Sequence, residues 1–439
     1  MDKKGNNKLN SIDIYIIIAC FIIYLTWAII IPYNHAPDEY MRYKIPEFIY
    51  KYGYLPHGSD ARIRDATWGF SYAFTPIFSY IVSALFMKIT SFFTTSVNAL
   101  LLSARMVSVL ASTGTAYFSI KISKKLFDGV FRYVFVIATV ILPEFVFVSA
   151  YVNNDAFGIF TVAWIVYGLI LSEENEWNIK SCIFLGCGVG LCALSYFNCY
   201  GIILVALFYG VVSVVKNKNI EDKFGFLLSR FACVLIVALI VAGWWFIRNA
   251  IIYNGDFLGL RASSECAEMY AAKGFKPSQR VTLSSMNISL RSFLAVYYGW
   301  TLSTYESFIG KFDYMSLSLP MCFYYIFLVI IFISLIGLFM MEKRKKNKEN
   351  GLLSVSMIFM CVITVFISVW YSYFNDFQAQ GRYLLPMLIP INILLVTGWS
   401  GFFEKKDDKA KLIMAFIIVV IYVATVIEST MGVIVPAYL

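Results

Sequence analysis

Apolar runs of roughly twenty residues recur along the chain, each separated from the next by a short polar segment. A run of that length, at about 1.5 Å per residue, crosses the hydrocarbon core of a bilayer as a helix. Such runs fall near 14–31, 100–120, 133–152, 156–172, 181–196, 199–215, 229–249, 319–341, 352–372, 384–401 and 412–434, which predicts about eleven transmembrane helices. The first follows a basic stretch, MDKKGNNKLNS, and has no small-residue cleavage pattern before Pro32. It exceeds the apolar core of about 7–15 residues found in signal peptides, so it reads as a retained span with its N-terminus in the cytoplasm. A further apolar stretch at 70–93 passes on hydropathy alone. Counting it as a crossing would reverse everything downstream and put the cluster Lys343, Arg344, Lys345, Lys346 and Lys348 outside. It is therefore read as a juxtamembrane or re-entrant helix on the outer face. The expected fold class is an all-α polytopic membrane protein forming a single unit over 1–439. Its first extracytoplasmic loop lies at 32–99, its second at 250–318, and its C-terminus is extracytoplasmic.

Composition agrees. The chain is 60% hydrophobic and 14% charged, with mean hydropathy +0.72, whereas a soluble domain carries about a quarter charged residues. Disorder, collagen and a disulfide scaffold are excluded together. The net charge of +9 reads as an orientation signal rather than a nucleic-acid footprint. Lys121, Lys124, Lys125 and Arg132, then Lys216, Lys218 and Lys223, then the 343–348 cluster, then Lys405, Lys406, Lys409 and Lys411, all fall in segments assigned to the cytoplasmic side. The nine cysteines form no C-x-x-C pair, and His35 and His57 are the only histidines, so no zinc or disulfide framework is expected. GCGVG at 186–190 has the look of a phosphate loop but lies inside an apolar run. Gly186 and Gly190 read instead as a small-xxx-small packing face. Abundant Ile, Phe, Asn and Lys suggest an AT-rich bacterial genome, and with it a bacterial plasma membrane.

Three sets of residues could do chemistry. HAPDEYMRYKIPEF begins where the first span leaves the membrane and places the acids Asp38 and Glu39 side by side, followed by Arg42 and Lys44. A partly desolvated carboxylate there could serve as a general base on an acceptor hydroxyl; the other reading is a solvated turn after Pro37. The second acid is Asp155 in SAYVNNDAFG, eleven residues after Glu144. On one continuous helix that spacing returns to within about 20° of the same face, with Tyr151 on it as well. An acid inside an apolar run is costly and usually paired, so Glu144 is expected to pair with Arg105. For Asp155 the plainer reading is a helix terminus. The third set is arginines: Arg248 in WWFIRNAIIYNGD, Arg291, and Arg382 in QAQGRYLLP. A guanidinium fork matches phosphate oxygens well, although interfacial arginines also meet lipid headgroups.

The order of these motifs resembles a known family. APDE follows span one, SYAFTP leads into a juxtamembrane helix, an Arg opens span two, and NND follows span three. WWFIRN ends span seven, SFIGKF stands in the second loop, and QGRYLLP opens span ten. The chain is similar to the GT-C class of polytopic glycosyltransferases, specifically a bacterial membrane family of unassigned function related to protein O-mannosyltransferases and lipid A aminoarabinose transferase. The resemblance covers nearly the whole chain. It implies a GT-C-like bundle in which Asp38, with Glu39 beside it, is the catalytic base and Asp155 assists. It implies a polyprenyl-phosphate sugar donor whose phosphate would be held by Arg382 and Arg248, with Arg42 and Arg105 as further candidates. The acceptor would be an extracytoplasmic glycan, lipid or protein, and the other partners are membrane lipids. No cofactor is certain; a divalent cation between Asp38, Asp155 and the phosphate stays open. The sequence departs from its relatives twice. They often carry His where Arg42 stands, and often Lys in the turn that here reads SYFNCY. Two rival classes remain, a transporter or flippase of lipid-linked sugars and a non-catalytic scaffold of an envelope-polysaccharide complex.

Overall fold

The computed structural model describes residues 8–296, 299–343 and 351–439. The expected basic residues Arg344, Lys345, Lys346 and Lys348 lie outside the described residues.

The described residues are mostly helical. Helix α1 (Ser11–Ile30) starts with a capping box, in which Asn10 accepts from the Asp13 amide while Asp13 accepts from that of Asn10. After α2 (Glu39–Tyr52) and α3 (Phe78–Thr90) comes the long α4 (Val97–Leu126). One face of α4 is small and polar, with Ser108, Ser112, Thr115, Ser119 and Ser123 all buried. Side chains that short let neighbouring backbones approach closely, and α1, α3 and α7 all pack on α4. Next are α5 (Phe131–Val140), α6 (Pro143–Val148), α7 (Asp155–Glu174), α8 (Ile179–Ala193), α9 (Gly201–Lys216) and α10 (Lys223–Ile252). Gly186 and Gly190 face α10: a Cβ on them would lie 2.8 and 2.7 Å from the Cβ atoms of Val237 and Val241. The chain continues through α11 (Leu260–Tyr270), α12 (Trp300–Gly310) and a minimal antiparallel pair, Lys311–Phe312 against Leu317–Ser318. It closes with α13 (Met321–Lys343), α14 (Gly351–Phe374), a 3-10 segment (Gly381–Met387), α15 (Leu388–Phe402) and α16 (Asp408–Ile427), which runs on to Tyr438.

Among the described residues, nine helices are long and apolar enough to cross a membrane. Two expected spans take other forms. The run at 181–196 becomes the 15-residue α8. The run at 133–152 is not one helix, because α5 ends at Val140 and Pro143 restarts the chain as α6, a proline having no amide to continue the ladder. The carbonyl freed at Val140 accepts the Tyr24 hydroxyl at 2.6 Å, so this group is not left unpaired by the break. The apolar stretch at 70–93 yields only the 13-residue α3, about 20 Å long and short of the roughly 30 Å core. It packs on α2 and α4. The segment 32–99 thus holds α2 and α3, and 250–318 holds α11, α12 and the two short strands. At the far end of α1, Asp13 is buried and bound by Lys124 (2.5 Å) and Arg132 (3.2 Å), which gathers those basic residues at the end opposite Asp38.

Candidate active site

The chain leaves α1 through a tight turn and reaches Asp38 in the left-handed region, φ 64°. A non-glycine residue there is strained. Asp38 stands at the N-cap of α2, yet its carboxylate caps nothing in its own helix. It turns instead to Arg382, whose Nη2 donates to Oδ2 at 2.8 Å while Nη1 donates to the Pro37 carbonyl at 3.3 Å. Arg42, one turn along α2, brings Nη2 to 3.7 Å from the same oxygen. The Asp38 side chain keeps 30% of its surface exposed while both arginines are almost fully buried. Burial alone would raise the Asp38 pKa, but the Arg382 and Arg42 charges outweigh it and hold the carboxyl below its ordinary value.

Arg42 extends the chain of charge. Its Nη1 donates to Asp155 Oδ2 at 2.8 Å, and its guanidinium carbon lies 5.0 Å from the Tyr72 ring and 5.6 Å from that of Tyr196. Asp155 opens α7, and the two asparagines before it explain how it is set. Asn153 accepts from the Ala156 amide and donates to the carbonyls of Val148 and Tyr151, repairing the irregular backbone at 149–154. Asn154 binds Ser79 and the Pro76 carbonyl, tying α7 to the SYAFTP segment. The irregular backbone also corrects an expectation: Glu144, Tyr151 and Asp155 do not share one helix face, because no single helix joins them.

Glu39 and Arg105 give the second correction. Arg105 pairs with Glu39, not with Glu144. Its Nε and Nη2 donate to the two Glu39 oxygens at 2.8 and 2.7 Å, and its other N–H groups reach the carbonyls of Ala28, Ile31 and Pro32. All five guanidinium donors are thereby used, which leaves none for the phosphate contact expected of Arg105. Glu39 accepts in addition from the amides of Val152 and Asn34 and is fully buried. It fastens the exit of α1 to the broken helix and to α4. Glu144 accepts instead from the Lys311 amide at 3.3 Å.

The remaining motifs hold this cluster in place. In SFIGKF, Ser307 accepts from the Gly381 amide, and a Cβ on Gly381 would collide with the Phe308 backbone. The 3-10 segment that carries Arg382 is thus pressed against α12. Arg248 donates to the Pro56 carbonyl at 2.7 Å, and Asn249 donates to that of Phe74 at 3.1 Å. WWFIRN therefore grips the 56–74 stretch, and Arg248 has no hydrogen bond to Asp38, Arg42, Asp155 or Arg382. Arg291 is exposed on the second long loop. Beyond Arg382 the same 3-10 segment lines an apolar groove of about 270 Å³, walled by Leu384, Met387, Leu388, Phe308, Phe327 and Val365.

Tyr72, Tyr196 and Tyr383 were not singled out from the sequence. Tyr383 accepts from Arg382 Nη2 at 2.9 Å, and the other two flank Arg42. Tyr72 and Tyr196 lie in SYAFTP and SYFNCY, so the motifs were visible but the roles of their tyrosines were not. Several buried polar atoms here have no hydrogen-bond partner among the described residues: Nε of Arg42, Nε of Arg382 and the Tyr151 hydroxyl. A divalent cation fits poorly between Asp38 and Asp155. Arg42 fills that gap, and among the described residues no three His, Cys, Asp or Glu side chains group as ligands.

This bundle, with its acid and arginine cluster beside an apolar groove, has the fold of the GT-C membrane glycosyltransferases. Solved structures with that fold include an oligosaccharyltransferase of Archaeoglobus fulgidus in complex with Zn and sulfate. It has TM-score 0.59 and 14% identity, over 94% of this chain and 53% of that one. ArnT of Cupriavidus metallidurans bound to undecaprenyl phosphate has TM-score 0.55 and 12% identity, over 92% and 62%. The A. fulgidus oligosaccharyltransferase AglB with an inhibitory peptide and a dolichol-phosphate has TM-score 0.55 and 12% identity, over 95% and 55%. The chain therefore spans between half and two thirds of these neighbours' length. It belongs to the family of predicted membrane proteins DUF2142, whose model matches residues 50–391. No curated protein matches it.

Proposed function

We propose that this protein is a glycosyltransferase that moves a sugar from a polyprenyl-phosphate-linked donor to an extracytoplasmic acceptor in cell-envelope glycan or glycoconjugate assembly. The observation that carries this reading is Asp38: a strained, partly exposed carboxylate bound to Arg382, on the segment that runs on into the apolar groove. The donor phosphate would meet Arg382, with the unpartnered Nε of Arg382 and the Tyr151 hydroxyl as further donors. The prenyl tail would lie in the groove from Leu384 onward. Asp38 accepts the proton of the acceptor hydroxyl as its oxygen bonds the anomeric carbon from the opposite face, giving inversion. The bond from that carbon to the phosphate oxygen breaks, and its electron pair stays on the phosphate, where guanidinium charge stabilises it. Glu39 acts by fixing Asp38 in position. Placing 32–99 and 250–318 outside a bacterial plasma membrane, with the N-terminus inside, agrees with the basic residues gathered around Asp13.

The transporter reading is weaker. Of the two charged residues that could line a translocation path, Arg105 is engaged in five hydrogen bonds to Glu39 and three backbone carbonyls, and Glu144 accepts from the Lys311 amide.

The experiment is transfer of radiolabelled sugar from a panel of polyprenyl-phosphate sugars by the purified protein, wild type beside Asp38→Asn. Label reaching an acceptor or water only with wild type supports the proposal. No turnover with any donor, while lipid-linked sugar flips in liposomes, replaces it with the transporter.

A further inference from the structure

The two acids of the site are joined through a side chain. Asp38 precedes α2 and Asp155 opens α7, and the Arg42 guanidinium stands between them, Nη1 2.8 Å from Asp155 and Nη2 3.7 Å from Asp38. Two different nitrogens of one rigid fork thus face two carboxylates from separate helices. The guanidinium is buried and flanked by the Tyr72 and Tyr196 rings, whose faces favour a cation.

We propose that Arg42 is the fixed cation of this site, held between Asp38 and Asp155 where a divalent metal would otherwise bridge them, so that the protein binds no metal there. This deepens the glycosyltransferase reading and rests on it for the role of the site.

The argument has three parts. The first is space. A divalent ion draws carboxylate oxygens to about 2.0–2.6 Å, and the gap in which it would do so holds the guanidinium. Charge is the second: Asp38 and Asp155 are already balanced by Arg42 and Arg382, so a divalent ion would leave a surplus of two positive charges in a largely buried cluster. The third is ligand number. Two acids alone make a poor site, and no third His, Cys, Asp or Glu joins them among the described residues. Arg42 also settles what Asp155 does. With one oxygen committed to Arg42, Asp155 positions that cation, and Arg42 in turn lies beside the base.

The test uses full-length protein in detergent, stripped with EDTA, with Mn2+ added alone and followed by its EPR signal. Wild type, Asp155→Asn and Arg42→His are compared, and size-exclusion elution reports folding. The wild type is expected to show no bound Mn2+ that Asp155→Asn removes. Arg42→His takes away the fixed charge and adds an imidazole ligand, so it is expected to gain a Mn2+ site that the further change Asp155→Asn abolishes. A wild-type Mn2+ site lost in Asp155→Asn overturns the proposal, and because this readout needs no substrate, it does so whether or not sugar transfer is ever seen. Once a donor is in hand, transfer is expected to change less than about twofold in EDTA; loss of transfer restored by Mn2+ overturns the proposal equally.

Discussion

Arg382 reaches back 344 residues to donate to Asp38 at 2.8 Å, and the same guanidinium holds the carbonyl of Pro37. One side chain thus fixes both the backbone and the carboxylate of the strained residue at the mouth of the site. In the protein alone, this pair keeps Asp38 ionised and a weak base. A donor phosphate competing for Arg382 would loosen the pair and strengthen the base where it is needed.

That relationship makes a pH prediction. The Asp38 pKa is lowered in the folded protein, mainly by Arg382 and Arg42 acting against burial. A lowered folded-state pKa contributes stability that is full above the unfolded carboxylate value and disappears as pH falls through the folded value. Thermal unfolding in detergent is therefore expected to weaken more steeply on acidification in wild type than in Asp38→Asn. Parallel curves for the two proteins would show that the Arg382 pair does not shift this carboxyl.

Glu39 and Arg105 should behave as structure. Removing one partner of a buried ion pair leaves an uncompensated charge, at a cost of about 3–5 kcal/mol. Glu39→Ala strands Arg105 and two backbone amides, those of Val152 and Asn34. The expected outcome is a large loss of thermal stability and of protein recovered from the membrane. Asp38→Asn, by contrast, should insert and elute normally. A stable Glu39→Ala variant that is merely inactive would return Glu39 to the role of a reacting group.

Gly381 is the position where the backbone leaves no room. A Cβ there would strike the backbone of Phe308, so Gly381→Ala must push the 3-10 segment off α12 and move Arg382 with it. Overpacking of this kind costs about 1–3 kcal/mol. Transfer is expected to fall more than about tenfold, since a misplacement of about 1 Å is costly to catalysis. Unchanged kinetics would mean that Arg382 need not be held by this contact.

The parts of this architecture legible in the sequence are those set by local composition. Long apolar runs become the long helices, and the acids and arginines of the site stand at or near helix ends on one face of the bundle. What was not legible depends on residues far apart in the chain. Hydropathy does not register the break at Pro143, because the run stays apolar across it, and the partner of the freed Val140 carbonyl, Tyr24, lies more than a hundred residues earlier. The Glu39–Arg105 and Arg42–Asp155 pairs span 66 and 113 positions. With the helix assumed continuous, Glu144 looked like the natural partner of Arg105; once the chain bends at 141–143, that geometry no longer exists.

The groove beside Arg382 offers a test that separates recognition of the lipid from the chemistry. Its walls are almost wholly apolar, and Val365 contributes from α14, where its side chain is also partly exposed. Val365→Trp should fill part of the roughly 270 Å³ without touching Asp38, Arg42 or Arg382. If the prenyl chain lies there, the variant raises KM for donors with long tails and leaves donors with short tails nearly unaffected. In both cases kcat should hold, because the lost interaction is made equally in ground and transition states. Because α14 faces solvent or lipid at this point, the larger ring can turn outward, and the paired comparison of tail lengths controls for that. An equal loss with both donors would mean that the substitution disturbs the fold of the segment. Equal retention with both, confirmed with Leu384→Trp in the 3-10 segment that also lines the groove, would place the tail elsewhere on the bundle.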